Sequence, residues 1–166
     1  NTMQILDIII SKSNDISSKI WEERDETIPL KNISEMFILA SIVEKETSLK
    51  KERSIISGVF YNRIEKKMRL QSDPTVVYAI TLGKRKMERN LSRKDLKIDS
   101  KYNTYVNKGL PPSPICFPGV ESLQGTAKPY KSNYLYFVSN NLNGGHYFSS
   151  NYKEHLEFIK SKKSKN

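Results

Sequence analysis

"NYLYFVSNNLNGGHYFSS", residues 133–150, places two short runs of aromatic and β-branched residues on either side of an Asn/Gly-rich segment. That is the signature of a β-hairpin. Outward from it the periodicity turns helical. "NYKEHLEFIKS", residues 151–161, reads as a closing helix, and a short helix is expected around Val120 to Ala127. Upstream, "YNTYVNKGLPPSPICFPG", residues 102–119, contains Pro111, Pro112, Pro114 and Pro118. These fix backbone torsions and remove hydrogen-bond donors, so a rigid irregular loop is expected. Lys84 to Lys97 is basic and polar, a surface excursion in which Ser92 and Asp95 suggest a short capped turn.

Nearer the N-terminus, "QSDPTVVYAI", residues 71–80, offers Asp73 as helix N-cap and Pro74 as the first helical residue. Ile55, Ile56, Val59, Phe60 and Ile64 line one face of a preceding helix, with Arg53 and Arg63 left to other duties. Asn32, followed three residues later by Glu35, resembles a capping box and starts another helix after Pro29. Met3, Leu6, Ile9, Ile10, Ile16, Ile20 and Trp21 predict an amphipathic helix or helix pair over residues 3–24. The expected fold is α+β: several helices with a small antiparallel sheet and the Pro-rich loop. Residues 1–30 form a helical lead-in, 31–159 the main domain, and 160–166 a basic, disordered tail.

At 166 residues the chain is the size of one domain with a real core. No apolar stretch approaches the roughly 20 residues that cross a bilayer, no signal-peptide pattern is present, and the start at Asn1 suggests a fragment trimmed from a longer parent. Cys116 has no cysteine to pair with, and His146 and His155 do not complete a zinc cluster, so neither structural metal nor cofactor is expected. The formal net charge of +10 suits a polyanionic partner, but Lys, Asn and Ile are all abundant, as biased coding composition alone would produce. No G-x-x-x-x-G-K-[ST], no G-x-G-x-x-G opening a helix and no G-x-S-x-G occurs, which removes support for nucleotide and acyl-transfer chemistry.

Chemistry is concentrated in "LASIVEKETSL", residues 39–49. A helix turns about 100° per residue, so Glu44 and Glu46 lie roughly 200° apart and cannot share a face. Glu46 falls between Ile42 and Leu39, close to Val43, whereas Glu44 falls nearer Phe37, Ala40 and Ser41. An aliphatic setting disfavours the ionised carboxylate and raises its pKa, which is what a general acid needs. The plainer alternative is that Glu46 sits at a helix end and pairs with Lys50 at i+4. His146, after Gly144 and Gly145, reads as a ligand contact or as an ordinary capping His.

Taken together, "ASIVEKET", "ERSIISGVFYNRIEKKMRLQSDPTVVYA", "YNTYVNKGLPP" and "NYLYFV" followed by "GGHYFS" occur in one order. In these segments, spanning about Ile33 to Leu156, the chain closely resembles the catalytic domain of the endolytic murein transglycosylases, the MltG or YceG-like family. The resemblance implies a lyase that cuts the β-1,4 bond between N-acetylmuramic acid and N-acetylglucosamine inside peptidoglycan strands and leaves a 1,6-anhydromuramyl end, without hydrolysis. Glu46, followed by Thr47, is then the catalytic acid. Gln71, Ser72 and Asp73 with Tyr102, Asn103, Thr104 and Tyr105 are expected to surround the cleft as substrate-binding residues, offering amide and hydroxyl partners and aromatic faces to sugars. Glu44 is expected to pair with Arg53 or Arg63. The resemblance further implies a parent anchored in the inner (plasma) membrane, its catalytic domain periplasmic or extracytoplasmic, with cell-wall synthases (penicillin-binding proteins) as partners. Ser113, where relatives commonly have glycine, and Gly125, in a segment usually richer in alanine, depart from the pattern.

Two other classes fit parts of the sequence. A basic, tyrosine-rich domain suits a nucleic-acid-binding module, with Lys84 to Lys97 tracking phosphates. A non-catalytic peptidoglycan-binding or scaffolding domain would keep the cleft without the chemistry.

Overall fold

The structure, a computed structural model, describes residues 2–140 and 144–163. Its centre is α2 (Ile33–Glu46), started by Asn32, whose Oδ1 accepts from Glu35 N at 3.0 Å. The Glu35 carboxylate closes the cap by accepting from Lys31 N at 2.8 Å. Met36 and every residue from Ile38 to Val43 are buried, so α2 is enclosed on all sides rather than along one stripe. One side meets α3 (Lys50–Glu65) through Leu39, Ile42, Val43, Ile56 and Phe60; another meets α5 (Val120–Ala127) through Met36, Ala40 and Leu123.

The segment over 3–24 is one helix, α1 (Thr2–Glu22), whose Ile20 and Trp21 join the Met36–Leu123 cluster. Its N-terminal half leaves Met3, Leu6, Ile9 and Ile10 exposed. Among the described residues no helix is long and apolar enough to cross a membrane.

α4 (Asp73–Thr81) starts at Asp73 itself. The expected Asp73 N-cap is therefore corrected: Ser72 is the N-cap, and its hydroxyl makes no capping bond because it is directed elsewhere. The excursion after α4 ends in a single 3-10 turn at Asp95–Lys97, where Ser92 and Asp95 bond reciprocally as expected. The Pro-rich segment carries no helix or strand and crosses α2, where Ile115 N donates to Ser41 Oγ at 3.0 Å.

The hairpin forms as β1 (Tyr136–Ser139) and β2 (His146–Ser149), antiparallel, with Phe137 opposite Phe148. Residues 141–143 of the expected turn lie outside the described residues. α6 (Tyr152–Lys163) covers the hairpin, stacking Phe158 on Tyr147 at 4.1 Å. It runs into the basic tail, so 160–163 are helical, while 164–166 lie outside the described residues. Helices with one small antiparallel sheet make the α+β fold expected.

Candidate active site

Glu46 is the last residue of α2, and the chain then leaves the helix at Thr47. Its carboxylate faces the start of α4, where Ser72 Oγ donates to Glu46 Oε1 at 2.5 Å. Burial raises the Glu46 pKa most; the Ser72 bond lowers it, the charge of Asp73 raises it, and the Arg63 guanidinium lowers it, with a result of about 7. The alternative pairing with Lys50 does not form, because Lys50 Nζ pairs with Glu121 instead.

Ser72 is fixed from behind. Its N–H donates to Thr104 Oγ1 at 3.0 Å, which also shares a 2.8 Å bond with Thr75 Oγ1. Gln71 N donates to Thr104 O at 3.1 Å, and Gln71 itself is held at φ 51. A non-glycine residue pays strain in this left-handed region, which surrounding structure must over-determine. Tyr105 OH donates to Asp73 Oδ1 at 2.6 Å. Burial and that bond hold the Tyr105 phenol above its usual pKa, so it stays a donor.

Behind the carboxylate lies Arg63, buried on α3. Its Nε donates to Leu135 O at 2.6 Å and its Nη1 to Leu70 O at 2.7 Å, tying the hairpin approach to the segment before Gln71. Burial depresses its pKa, and nearby Tyr136, Tyr105 and Glu46 oppose that. On the other flank, Glu52 accepts from Thr47 Oγ1 at 3.3 Å and from His146 N at 2.9 Å, and lies 2.7 Å from His146 Nδ1. The hairpin is thereby keyed to the residue that follows Glu46.

Residues 1–161 match the family described as YceG-like. The chain belongs to the YceG-like family. It is 45% identical over 138 residues to the endolytic murein transglycosylase of Bacillus subtilis (strain 168), covering 81% of this chain and 37% of that protein. It is 38% identical over 136 residues to the endolytic murein transglycosylase of Streptococcus pneumoniae (serotype 2), covering 78% and 24%. A crystal structure of a YceG-like protein from Listeria monocytogenes superposes with a TM-score of 0.73 at 39% identity, covering 93% of this chain and 46% of that one. The chain thus spans well under half the length of the curated relatives it matches.

Within this YceG-like domain the seven expected cleft residues divide by burial. Gln71 and Asp73 are exposed and Tyr102 and Tyr105 half-buried, whereas Ser72, Asn103 and Thr104 are buried. Asn103 is turned into the protein. Its Oδ1 accepts from Tyr105 N at 2.9 Å and its Nδ2 donates to Ile98 O at 2.9 Å and Leu96 O at 3.2 Å, so its polar atoms are engaged by the protein. Thr104 is likewise committed to Ser72 and Thr75, and Tyr102 bonds Ser113 at 2.6 Å while its ring packs 4.7 Å from Tyr78. Ser113 is therefore a strut between the Pro-rich segment and the cleft wall. Glu44 pairs with Arg53, at 3.1 Å, and not with Arg63, and it also accepts from Gly119 N and Ser122 Oγ.

Glu52 and the role of Arg63 escaped the sequence reading. The available signal was helical spacing: Glu52 precedes Ile55 and Ile56 by three and four residues and Arg63 follows Phe60 and Val59 by three and four, so both fall on the apolar face of α3, where they are buried.

Proposed function

We propose that this domain is the catalytic unit of an endolytic peptidoglycan lytic transglycosylase and that Glu46 serves as both acid and base. The observation that carries it is a half-buried carboxyl group at the end of α2, bonded by Ser72 and flanked by the exposed Gln71 and Asp73, with burial pushing its pKa up to about 7. At neutral pH such a group exists in both forms, as a single residue that first gives and then takes a proton requires.

In the first half-reaction Glu46 gives its proton to the glycosidic oxygen as the C1–O bond breaks, the bond pair passing to the leaving oxygen. The carboxylate produced is stabilised by the Ser72 hydroxyl and the Arg63 charge. In the second, the muramyl C6 hydroxyl closes onto C1 and its proton returns to Glu46, restoring the acid and leaving the 1,6-anhydro ring. The names carried by the Bacillus and Streptococcus relatives support peptidoglycan as substrate. The setting is extracytoplasmic cell-wall assembly, where such cuts terminate glycan strands beside cell-wall synthases.

A second carboxylate gives one specific alternative. Asp73 is exposed and close enough to oppose ionisation of Glu46. Most glycoside hydrolases use a second carboxylate to activate water or to attack the sugar. Mass spectrometry of muropeptides released by the full-length parent separates the two, because the anhydro product is lighter by one water. Anhydro ends that vanish in Glu46→Gln support the transglycosylase; reducing ends would make the enzyme a hydrolase.

A further inference from the structure

A groove of about 940 Å³, lined at one end by Lys45 and Asp73, the neighbours of Glu46 and Ser72 in the chain, runs along α4 to the basic segment that follows it. Its floor is apolar, formed by Val77, Tyr78 and Ile115. Its rim carries Lys45 from α2 and Arg85 and Lys86 from the segment after α4, all exposed. Arg89 also lines it but is already neutralised by Asp95, with bonds of 2.6 and 2.9 Å. Lys45, Arg85 and Lys86 have no carboxylate within ion-pair distance among the described residues. The groove's one carboxylate, Asp73, sits at the catalytic end and is engaged by Tyr105. Three unpaired cations over an apolar floor suit an extended anionic ligand with small apolar side chains.

We infer that this groove binds the stem peptide carried by the muramic acid whose bond is cut, so that the domain acts on peptide-bearing rather than naked glycan. The inference rests on the glycan-cleaving function proposed above. The muramyl ring whose C1 meets Glu46 carries its peptide on its own O3, so the peptide must leave the cleft within one ring's width of that carboxylate. The groove begins at Asp73, the residue after the serine that bonds Glu46. A stem peptide brings alanine methyl groups for the floor and carboxylates for the rim. A stacked nucleic-acid strand fits less well, because the aromatic on the floor, Tyr78, is already packed against Tyr102.

The test uses uncrosslinked glycan strands with their peptides and the same strands stripped by an amidase, cut by the full-length parent and by the double variant Arg85→Glu/Lys86→Glu. The parent should cut peptide-bearing strands about tenfold faster at low salt. The ratio should shrink as salt rises and collapse towards one in the double variant. Equal rates on both strands, or a ratio that the charge reversal leaves in place, would overturn the inference. If neither strand is cut, the glycan-cleaving proposal fails separately, and retention of Glu46→Gln on peptide-bearing against stripped sacculi decides the groove: equal retention refutes it. Displacement from peptide-bearing strands by a single-stranded DNA oligonucleotide at equal charge concentration would also refute it, since the groove would then be a general polyanion site.

Discussion

Ser72 Oγ donates to Glu46 Oε1 at 2.5 Å and joins the N-cap of α4 to the C-terminal residue of α2. A serine at an N-cap ordinarily bonds its own helix, and here that bond is absent. The hydroxyl instead favours the ionised form of Glu46, against the burial that disfavours it. Ser72→Ala should therefore raise the Glu46 pKa further above about 7. A hydrogen bond to a charged group is worth ~1.5–3 kcal/mol, or roughly one to two pH units. The alkaline limb of the rate profile, where the acid is lost, should move up by about that amount, with a lower maximal rate. A limb that stays in place would show that Ser72 does not act on this proton.

Glu46→Gln should separate chemistry from stability. The side chain keeps its shape but cannot pass a proton, so cleavage should fall by ~100-fold to 10,000-fold. For stability the sign follows from a folded pKa of about 7 against an ordinary value of 4.5. The folded state holds this proton more tightly, so the favourable contribution is complete below about 4.5 and is lost as pH rises through about 7. Above that pH the parent carries a half-buried charge that the variant lacks. Glu46→Gln should be more stable than the parent at pH 8 by ~1–3 kcal/mol and nearly equal at pH 4. Urea denaturation at the two pH values measures the difference, and a variant less stable at pH 8 would contradict the burial of this carboxyl.

Glu44 has the opposite assignment. Its carboxylate accepts from Arg53, Gly119 N and Ser122 Oγ, locking α2 to α3 and to the start of α5. Glu44→Ala leaves Arg53 only its longer 3.7 Å pairing with Glu121 and removes the acceptor of Gly119 N and Ser122 Oγ, and should cost ~1–3 kcal/mol. Glu44→Gln should be milder. In both, the cleavage rate per folded molecule should stay within a few-fold of the parent; loss of rate without loss of melting temperature would return Glu44 to the chemistry.

Asn103→Ala removes three hydrogen bonds that shape the loop carrying Thr104 and Tyr105. The expected result is a loss of ~2–4 kcal/mol with a secondary fall in rate. If stability held while KM rose, Asn103 would touch the substrate after all.

Gly58→Ala tests the packing of α3 against the segment at Tyr130. A Cβ at Gly58 would lie 2.3 Å from Tyr130 O, a backbone atom that cannot swing away. Thermal melting should show a loss of ~1–3 kcal/mol or more. An unchanged melting temperature would mean that the segment at Tyr130 sits further from α3.

Local signals read well where local chemistry sets the structure. The Asn32 cap, the reciprocal Ser92–Asp95 turn, the Val120–Ala127 helix and the hairpin all follow from residues a few positions apart. The helical wheel likewise separated Glu46 from Glu44, though α2 is enclosed on every side, so an apolar stripe was not the physical difference between them. The difference is what each meets across the fold: Glu44 meets Arg53 and α5, and Glu46 meets the Ser72 hydroxyl and the charges of Asp73 and Arg63.

By itself the sequence determined the helices, the hairpin, the family and the candidate acid, because capping, periodicity and ordered motifs act over short spans. Only the tertiary structure decided which of the expected cleft residues are exposed and which are enclosed. Asn103 and Thr104 read as sugar-binding groups, but folding buries them and engages their polar atoms as supports for Tyr105 and Ser72. Asp73 reads as a cap and proves to be a second charge beside Glu46, while Ser72 gives up capping to bond that carboxylate. The reason is that a polar side chain's role depends on whichever donor or acceptor remains for it once the backbone is placed, and those partners lie tens of residues away along the chain.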